Sequence, residues 1–144
     1  MKADVASGDR DLTDGTLGTF NALFPKGAYF SEADLLGPYN LMDLHPSVEL
    51  SLTERISLTS DFDFFWRQST NDGIYGIPGN LIRSGRAGSA RYVGSQANLQ
   101  IEWRLDRHIS LTSIYLHFFP GAFLKETQPG RNVDFVAAWV TYKF

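Results

Sequence analysis

From residue 44 onward, apolar and polar residues alternate with a period of two, and the 3.6-residue helical period is nearly absent. The segment Leu44–Leu52 sets Val48, Leu50 and Leu52 against Ser47, Glu49 and Ser51. The segment Ile56–Arg67 is the clearest. Ile56, Leu58, Phe62, Phe64 and Trp66 share one side with Ser60, and Ser57, Thr59, Asp61, Asp63 and Arg67 share the other, interrupted by Phe65. In Arg91–Arg104, Val93, Ala97, Leu99, Ile101 and Trp103 oppose Tyr92, Gly94, Gln96, Asn98, Gln100, Glu102 and Arg104. The alternation blurs in His108–Phe119, where Ile114, Leu116 and Phe118 oppose Ile109, Leu111 and Tyr115. The terminal segment Val133–Phe144 carries Val136, Ala138, Val140, Tyr142 and Phe144 on one side. The pattern predicts five β-strands in residues 44–144.

The connections are unequal. Thr53-Glu54-Arg55 and Leu105-Asp106-Arg107 are short polar breaks, whereas Gln68–Ala90 and Pro120–Asn132 are long and rich in turn residues. Ala122–Thr127 fits one helical turn. Residues 1–43 read as loop-rich, with a truncated strand ending near Val5-Ala6 and either a short strand or a loop excursion at Gly27–Leu36. The pentapeptide Ile56-Ser57-Leu58-Thr59-Ser60 recurs as Ile109-Ser110-Leu111-Thr112-Ser113, so the unit of strand, short turn, strand and long loop occurs twice.

Short turns at one end and long loops at the other are the asymmetry of outer-membrane β-barrels. A soluble antiparallel barrel or sandwich also alternates. Segments of about 11–14 residues exceed the usual soluble strand of about 5–6 and suit the roughly 9–11 that a tilted strand needs to cross a bilayer. Aromatics follow suit. Phe64 and Trp66 sit near the long-loop end, Tyr142 and Phe144 at the short-turn end, and Trp103 and Trp139 on other strands, as in interfacial girdles.

Length and composition narrow the picture. The 144 residues suit one domain, residues 1–144, and the net charge of −3 argues against a nucleic-acid coat. The absence of cysteine excludes disulfides, thiolate metal sites and cysteine nucleophiles. The three histidines, His45, His108 and His117, form no H-x-x-x-H pair, so no metal or other cofactor is expected. Asp9, Asp11 and Asp14 beside Gly8 and Gly15 lack the full calcium-loop pattern. His117 and Ser113 share a strand face but stand too far apart for a direct hydrogen bond, so no enzyme is expected. There is no run of 18 apolar residues and no apolar leader segment after Met1. The reading is therefore of a mature chain or fragment, or of a cytosolic one.

The quoted segments resemble a known family. Ala6–Asp11, Thr19–Pro25, Phe64–Ser69, Asp72–Gly76, His117–Phe123 and Asp134-Phe135-Val136 are similar to the C-terminal part of alginate-export-type outer-membrane proteins. The ending on Phe144 resembles the C-terminal signature read by the outer-membrane assembly machinery. The resemblance implies an all-β, antiparallel meander forming the C-terminal part of a larger transmembrane barrel of about eighteen strands. It implies a bacterial outer-membrane location, contact with lipid and with the assembly machinery through Tyr142 and Phe144, and passage of an anionic polysaccharide. Five to seven strands leave open edges, which a bilayer does not tolerate. The alternatives are a small stand-alone or oligomeric barrel, or a soluble binding barrel, without a transport role.

The polar faces nominate a solute path of Arg67, Arg91, Arg104, Asp61, Asp63 and Glu102, with Arg83 and Arg86 in the loop between two of the strands. Arginine suits carboxylates through paired hydrogen bonds and stays charged at any relevant pH. The three acidic residues would weaken that field if they paired with the arginines. Strict alternation predicts that Val48, Leu50, Ile56, Leu58, Phe62, Leu99, Ile101 and Val140 face lipid.

Overall fold

The computed structural model describes residues 1–144. Its strands are β1 (Lys2–Val5), β2 (Leu41–His45), β3 (Ser47–Ser51), β4 (Ile56–Arg67), β5 (Ile74–Tyr75), β6 (Leu81–Arg83), β7 (Tyr92–Arg104), β8 (Ile109–Pro120) and β9 (Val133–Tyr142). A five-residue helix, α1 (Ala122–Glu126), stands where the helical turn is predicted. Seven strands form one antiparallel sheet in the order β1-β2-β4-β7-β8-β9, with β3 also paired to β4. The sheet strands are joined by three long connections, residues 6–40, 68–91 and 121–132, and β5 and β6 make a small separate hairpin inside the second.

The sequence reading starts its first strand at Leu44, whereas pairing begins at Leu41. β2 and β3 are two halves of one strand interrupted at Pro46, which has no N–H to give. The break is small: Phe62 N donates to Pro46 O at 3.0 Å, and the β4 register runs on across it. β1 realises the truncated strand, pairing Asp4 with Asp43 and Lys2 with His45. Residues 27–36 form turns rather than a strand. The sheet has two free edges, β1 and β9; it is an open antiparallel meander.

The repeated pentapeptide marks a repeated turn. Leu52 N and Thr53 N donate to Ile56 O, as Leu105 N and Asp106 N donate to Ile109 O. Thr53 Oγ1 accepts from Arg55 N and Ile56 N, and Asp106 Oδ1 accepts from His108 N and Ile109 N. A short side-chain acceptor at the second position thus closes both turns. Backbone bonds to Asp106 hold its carboxyl below its ordinary pKa.

The two faces of the sheet differ. On one, called here the bare face, all eight residues expected to face lipid lie together, Val48, Leu50, Leu99, Ile101 and Val140 exposed and Ile56, Leu58 and Phe62 half-buried. Phe62, Phe64, Trp66, Tyr92 and Phe119 cluster on it at the long-loop end, with neighbouring ring centroids 4.9–6.4 Å apart. Trp103 and Tyr142 stand on it at the other end. Trp139 does not: its register opposite Thr112 puts it on the opposite face, so it is no part of an aromatic rim.

The other face is covered at the long-loop end by residues of all three long connections. Leu36, Leu41, Phe65, Ile74, Val93, Leu116, Phe118 and Phe123 form the buried core there. This explains the blurred alternation of β8, whose Ile114, Leu116 and Phe118 are buried under the loops while Tyr115 and Phe119 stand exposed on the bare face. Two assignments from the strict period fail at one place. A bulge sets Val93 out of the ladder, because Phe65 pairs with Gly94 and Trp66 with Tyr92. Val93 therefore enters the core and Tyr92 joins the aromatic band, the reverse of the alternating reading. Gly94 allows this: at φ 156° a Cβ would lie 2.5 Å from Phe119 O.

Candidate functional site

The covered face combines a loop-packed half, an acidic row and an open polar half. In the first, Arg67 ends β4 fully buried. Its guanidinium donates to the carbonyls of Thr70, Asp72, Gly85, Gly88 and Ala90, at 2.6–3.4 Å, and lies 3.9 Å above the Phe123 ring. Arg67 therefore organises the second long connection and is not open to a passing solute, contrary to its assignment to the solute path. The sequence placed it on the right face, but nothing in the pattern showed that residues 70–90 would fold over it.

Arg91 is exposed, and its Nη1 donates to the carbonyls of Arg67 and Gln68. Arg86 is exposed, while Arg83 bonds the carbonyl of Ile82. Arg104 lies at the far end of β7, where it donates to Glu54 O. The arginines thus do not form one patch: Arg67, Arg83, Arg86 and Arg91 belong to the long-loop end and Arg104 to the short-turn end. None of them makes an ion pair; Asp61 and Asp63 pair with His45 instead, and Glu102 stands opposite Ser57 and Thr112.

The loops are held by two side chains the sequence did not single out. Asn40 is fully buried; its Nδ2 donates to Ser69 O and Gly73 O, and its Oδ1 accepts from Ser69 N. Asp72 accepts from Asp9 N and Thr19 Oγ1 on one oxygen and from Gly73 N and Tyr75 Oη on the other. Burial, and then the bond to Asp72, push the Tyr75 phenol up to about 12. The aspartates of the first loop serve local turns: Asp9, Asp11 and Asp14 each accept a backbone N–H two residues on.

The acidic row follows from strand register. Asp4 and Asp43 are partners across β1 and β2, while His45 on β2 reaches Asp63 and Asp61 on β4. His45 Nδ1 is 2.7 Å from Asp63 Oδ1 and its Nε2 is 3.5 Å from Asp61 Oδ1. Gln96 Nε2 donates to Asp63 Oδ2 at 2.5 Å and Asn98 Nδ2 to Asp61 Oδ2 at 3.0 Å. Asp61 and Asp63 were expected on this face; Asp43 and His45 were missed because their neighbours come from a different strand, which linear spacing does not reveal.

At the short-turn end, Arg55, Arg104, Arg107, His108 and Lys143 line an open cleft with only Glu54 and Asp106 as acidic members. On the bare face, Asp134 accepts from Tyr115 Oη at 2.7 Å and pairs with His117 Nδ1 at 2.7 Å, a cluster the sequence did not show.

The alginate export family model matches residues 1–139, nearly the whole chain. The chain belongs to the alginate export family. This membership supports a role in the export of alginate or a similar polysaccharide. No curated protein and no solved structure matches the chain.

Proposed function

We propose that this alginate-export chain is a wall segment of a bacterial outer-membrane channel that passes an anionic polysaccharide. The observation that carries the proposal is the pairing of an uncovered apolar face with a polar opposite face. Uncovered Val48, Leu50, Leu99, Ile101, Val136 and Val140 form a surface that water disfavours and lipid accepts. Behind it, Ser57, Thr59, Gln100, Glu102 and Ser110 present hydroxyls, an amide and a carboxylate, groups that suit a hydrated pore. The free edges β1 and β9 are the places where further strands would close the wall. Val136, Val140, Tyr142 and, beyond the strand, Phe144 present the apolar side of β9 and the chain end to the assembly machinery.

The solute path differs from the one the sequence suggests. Arg67 organises the loops, and the cations that meet a polyuronate are Arg55, Arg104, Arg107 and Lys143 at the short-turn end. Short turns face the periplasm in such barrels, so this cleft is where an exported chain enters. Arginines there bind carboxylates in pairs of hydrogen bonds. The test is ion current through the closed barrel that contains this wall segment, reconstituted in a planar bilayer, with a polyuronate added to one side at a time. The expected result is reversible block from the short-turn side, weakened by Arg104→Ala plus Arg107→Ala. Absence of an ion-conducting path, or block that ignores both the side of addition and the double variant, overturns the proposal.

A further inference from the structure

We propose that Asp43, His45 and Asp63 bind a divalent transition-metal ion of the zinc class on the covered face. One ligand atom from each of the three lies within 4.8 Å of the others. Asp43 and His45 are two apart on β2, so their side chains leave the same face, and Asp63 faces them from the neighbouring strand β4. A regular antiparallel pair therefore brings three ligands together with no special loop.

The second observation is an uncompensated carboxylate. Asp43 is 5% exposed, and neither of its side-chain oxygens has a hydrogen-bond partner. Asp63 is wholly buried; its Oδ2 takes the Gln96 amide, and its Oδ1 faces His45. A buried carboxylate without a donor is costly, and two of them beside Asp61 repel one another. The cations at hand do not cover the deficit. Lys2 is paired with Asp4 at 2.7 Å, and one imidazole is shared between Asp61 and Asp63. A doubly charged ion between Asp43 and Asp63 balances both carboxylates at once.

The donor set selects the ion class. One imidazole nitrogen and two carboxylate oxygens suit zinc and its neighbours, whereas calcium and magnesium take oxygen alone. Ligand atoms around tetrahedral zinc stand about 3.4 Å apart, so separations of up to 4.8 Å shorten by roughly 1 Å, and His45 Nδ1 and Asp63 Oδ1, now 2.7 Å apart, open by somewhat less to admit the ion. Gln96 bonding the second oxygen of Asp63 is the outer contact that orients a metal ligand. Asp43, though neither His45 nor Asp63, also lines a cavity of about 150 Å³ with Asp4, Phe20, Tyr29 and Phe30, which gives an ion a route to that carboxylate. The inference rests on these side chains alone and does not depend on the channel reading.

The experiment is zinc uptake by the full chain folded in detergent micelles, measured by competition with a chromophoric chelator. Cobalt is then used to record the visible spectrum of the bound ion. One zinc per chain and the intense bands of four-coordinate cobalt are expected. Asp43→Asn and His45→Gln should each weaken uptake at least about tenfold. Asp134→Asn, which breaks the other carboxylate–histidine pair, should leave uptake unchanged. Heat-dependent gel mobility and the far-ultraviolet β-signal report whether each variant has folded. If a variant fails to fold, the wild-type stoichiometry and cobalt spectrum decide. The proposal is overturned by no saturable uptake in the wild type, by cobalt bands of a fully hydrated ion, or by uptake lost in Asp134→Asn and kept in Asp43→Asn.

Discussion

Replacing Arg67 with alanine removes the donors that hold the second long connection in place. Five carbonyls, those of Thr70, Asp72, Gly85, Gly88 and Ala90, lose their side-chain donor together. A hydrogen bond to a charged group contributes about 1.5–3 kcal/mol, and a buried acceptor left unpaired costs about 1–3 kcal/mol. Water reaches the carbonyls near the surface once the guanidinium is gone, so only the innermost count fully. Two such carbonyls and the lost contact over the Phe123 ring, about 0.5–2 kcal/mol, give a net loss of roughly 4 kcal/mol. Arg67→Lys keeps the charge but supplies three donors for five carbonyls, so it recovers about half of that. Two assays read this out: denaturant unfolding in micelles, and tryptic cleavage after Arg83 and Arg86 inside the tethered segment. Arg67→Ala should lower stability by that amount and open both sites to cleavage under conditions where the wild type resists. A loss below about 1 kcal/mol with unchanged cleavage would show that Arg67 does not organise the loop, and would return it to the solute path.

Three further outcomes follow from the same geometry. Gly94→Val should destabilise by about 2–4 kcal/mol, read by denaturant unfolding, because its Cβ would meet Phe119 O at 2.5 Å and the bulge could not form. Tyr75 has its phenol raised from 10.0 to about 12 in the folded chain, so its contribution to stability is complete below pH 10 and is lost as the pH rises toward 12. Alkaline absorbance titration should therefore show a late phenol that moves part of the way back toward the ordinary range in Asp72→Asn, the effect of burial remaining. Deleting Phe144 should reduce the amount of membrane-inserted protein in cells without changing the conductance of molecules that do insert, as counted by surface labelling and single-channel recording.

The strands were legible because burial on one face imposes a strict period of two, which Ile56–Arg67 and Arg91–Arg104 keep for most of their length. The two short turns were legible through the repeated Ile-Ser-Leu-Thr-Ser that follows each. What escaped was the work of the loops. Phe65 and Phe118 broke the alternation because the long connections fold back over the face that the period marks as polar. From the sequence these two are irregularities; in the fold they are core, joined by Val93, which kept the period and is turned inward by the bulge. Arg67 escaped for the same reason: a cation on a polar face reads as solvated until the carbonyls that surround it are in place. His45 and Asp43 escaped because a site assembled across two strands has no signature in either. Trp139 was misread because an aromatic residue does not itself say which face it joins, and only its register opposite Thr112 decides.

In the proposed channel wall, the bare face meets lipid and the covered face does not. The chain has no cysteine, so single cysteines can be introduced and spin-labelled one at a time without background. Labels at Leu58, Phe62, Leu99, Ile101 and Val140, and at their neighbours Thr59, Asp61, Asn98 and Gln100, would be compared in lipid vesicles by collision with oxygen, which concentrates in the bilayer, and with a water-soluble nickel complex. High oxygen and low nickel accessibility are expected at the first set, the reverse or neither at the second, with a period of two along β4 and β7; this pattern would support the proposed wall. Equal accessibility at both sets, or nickel preference at Leu58, Leu99 and Val140, would contradict it.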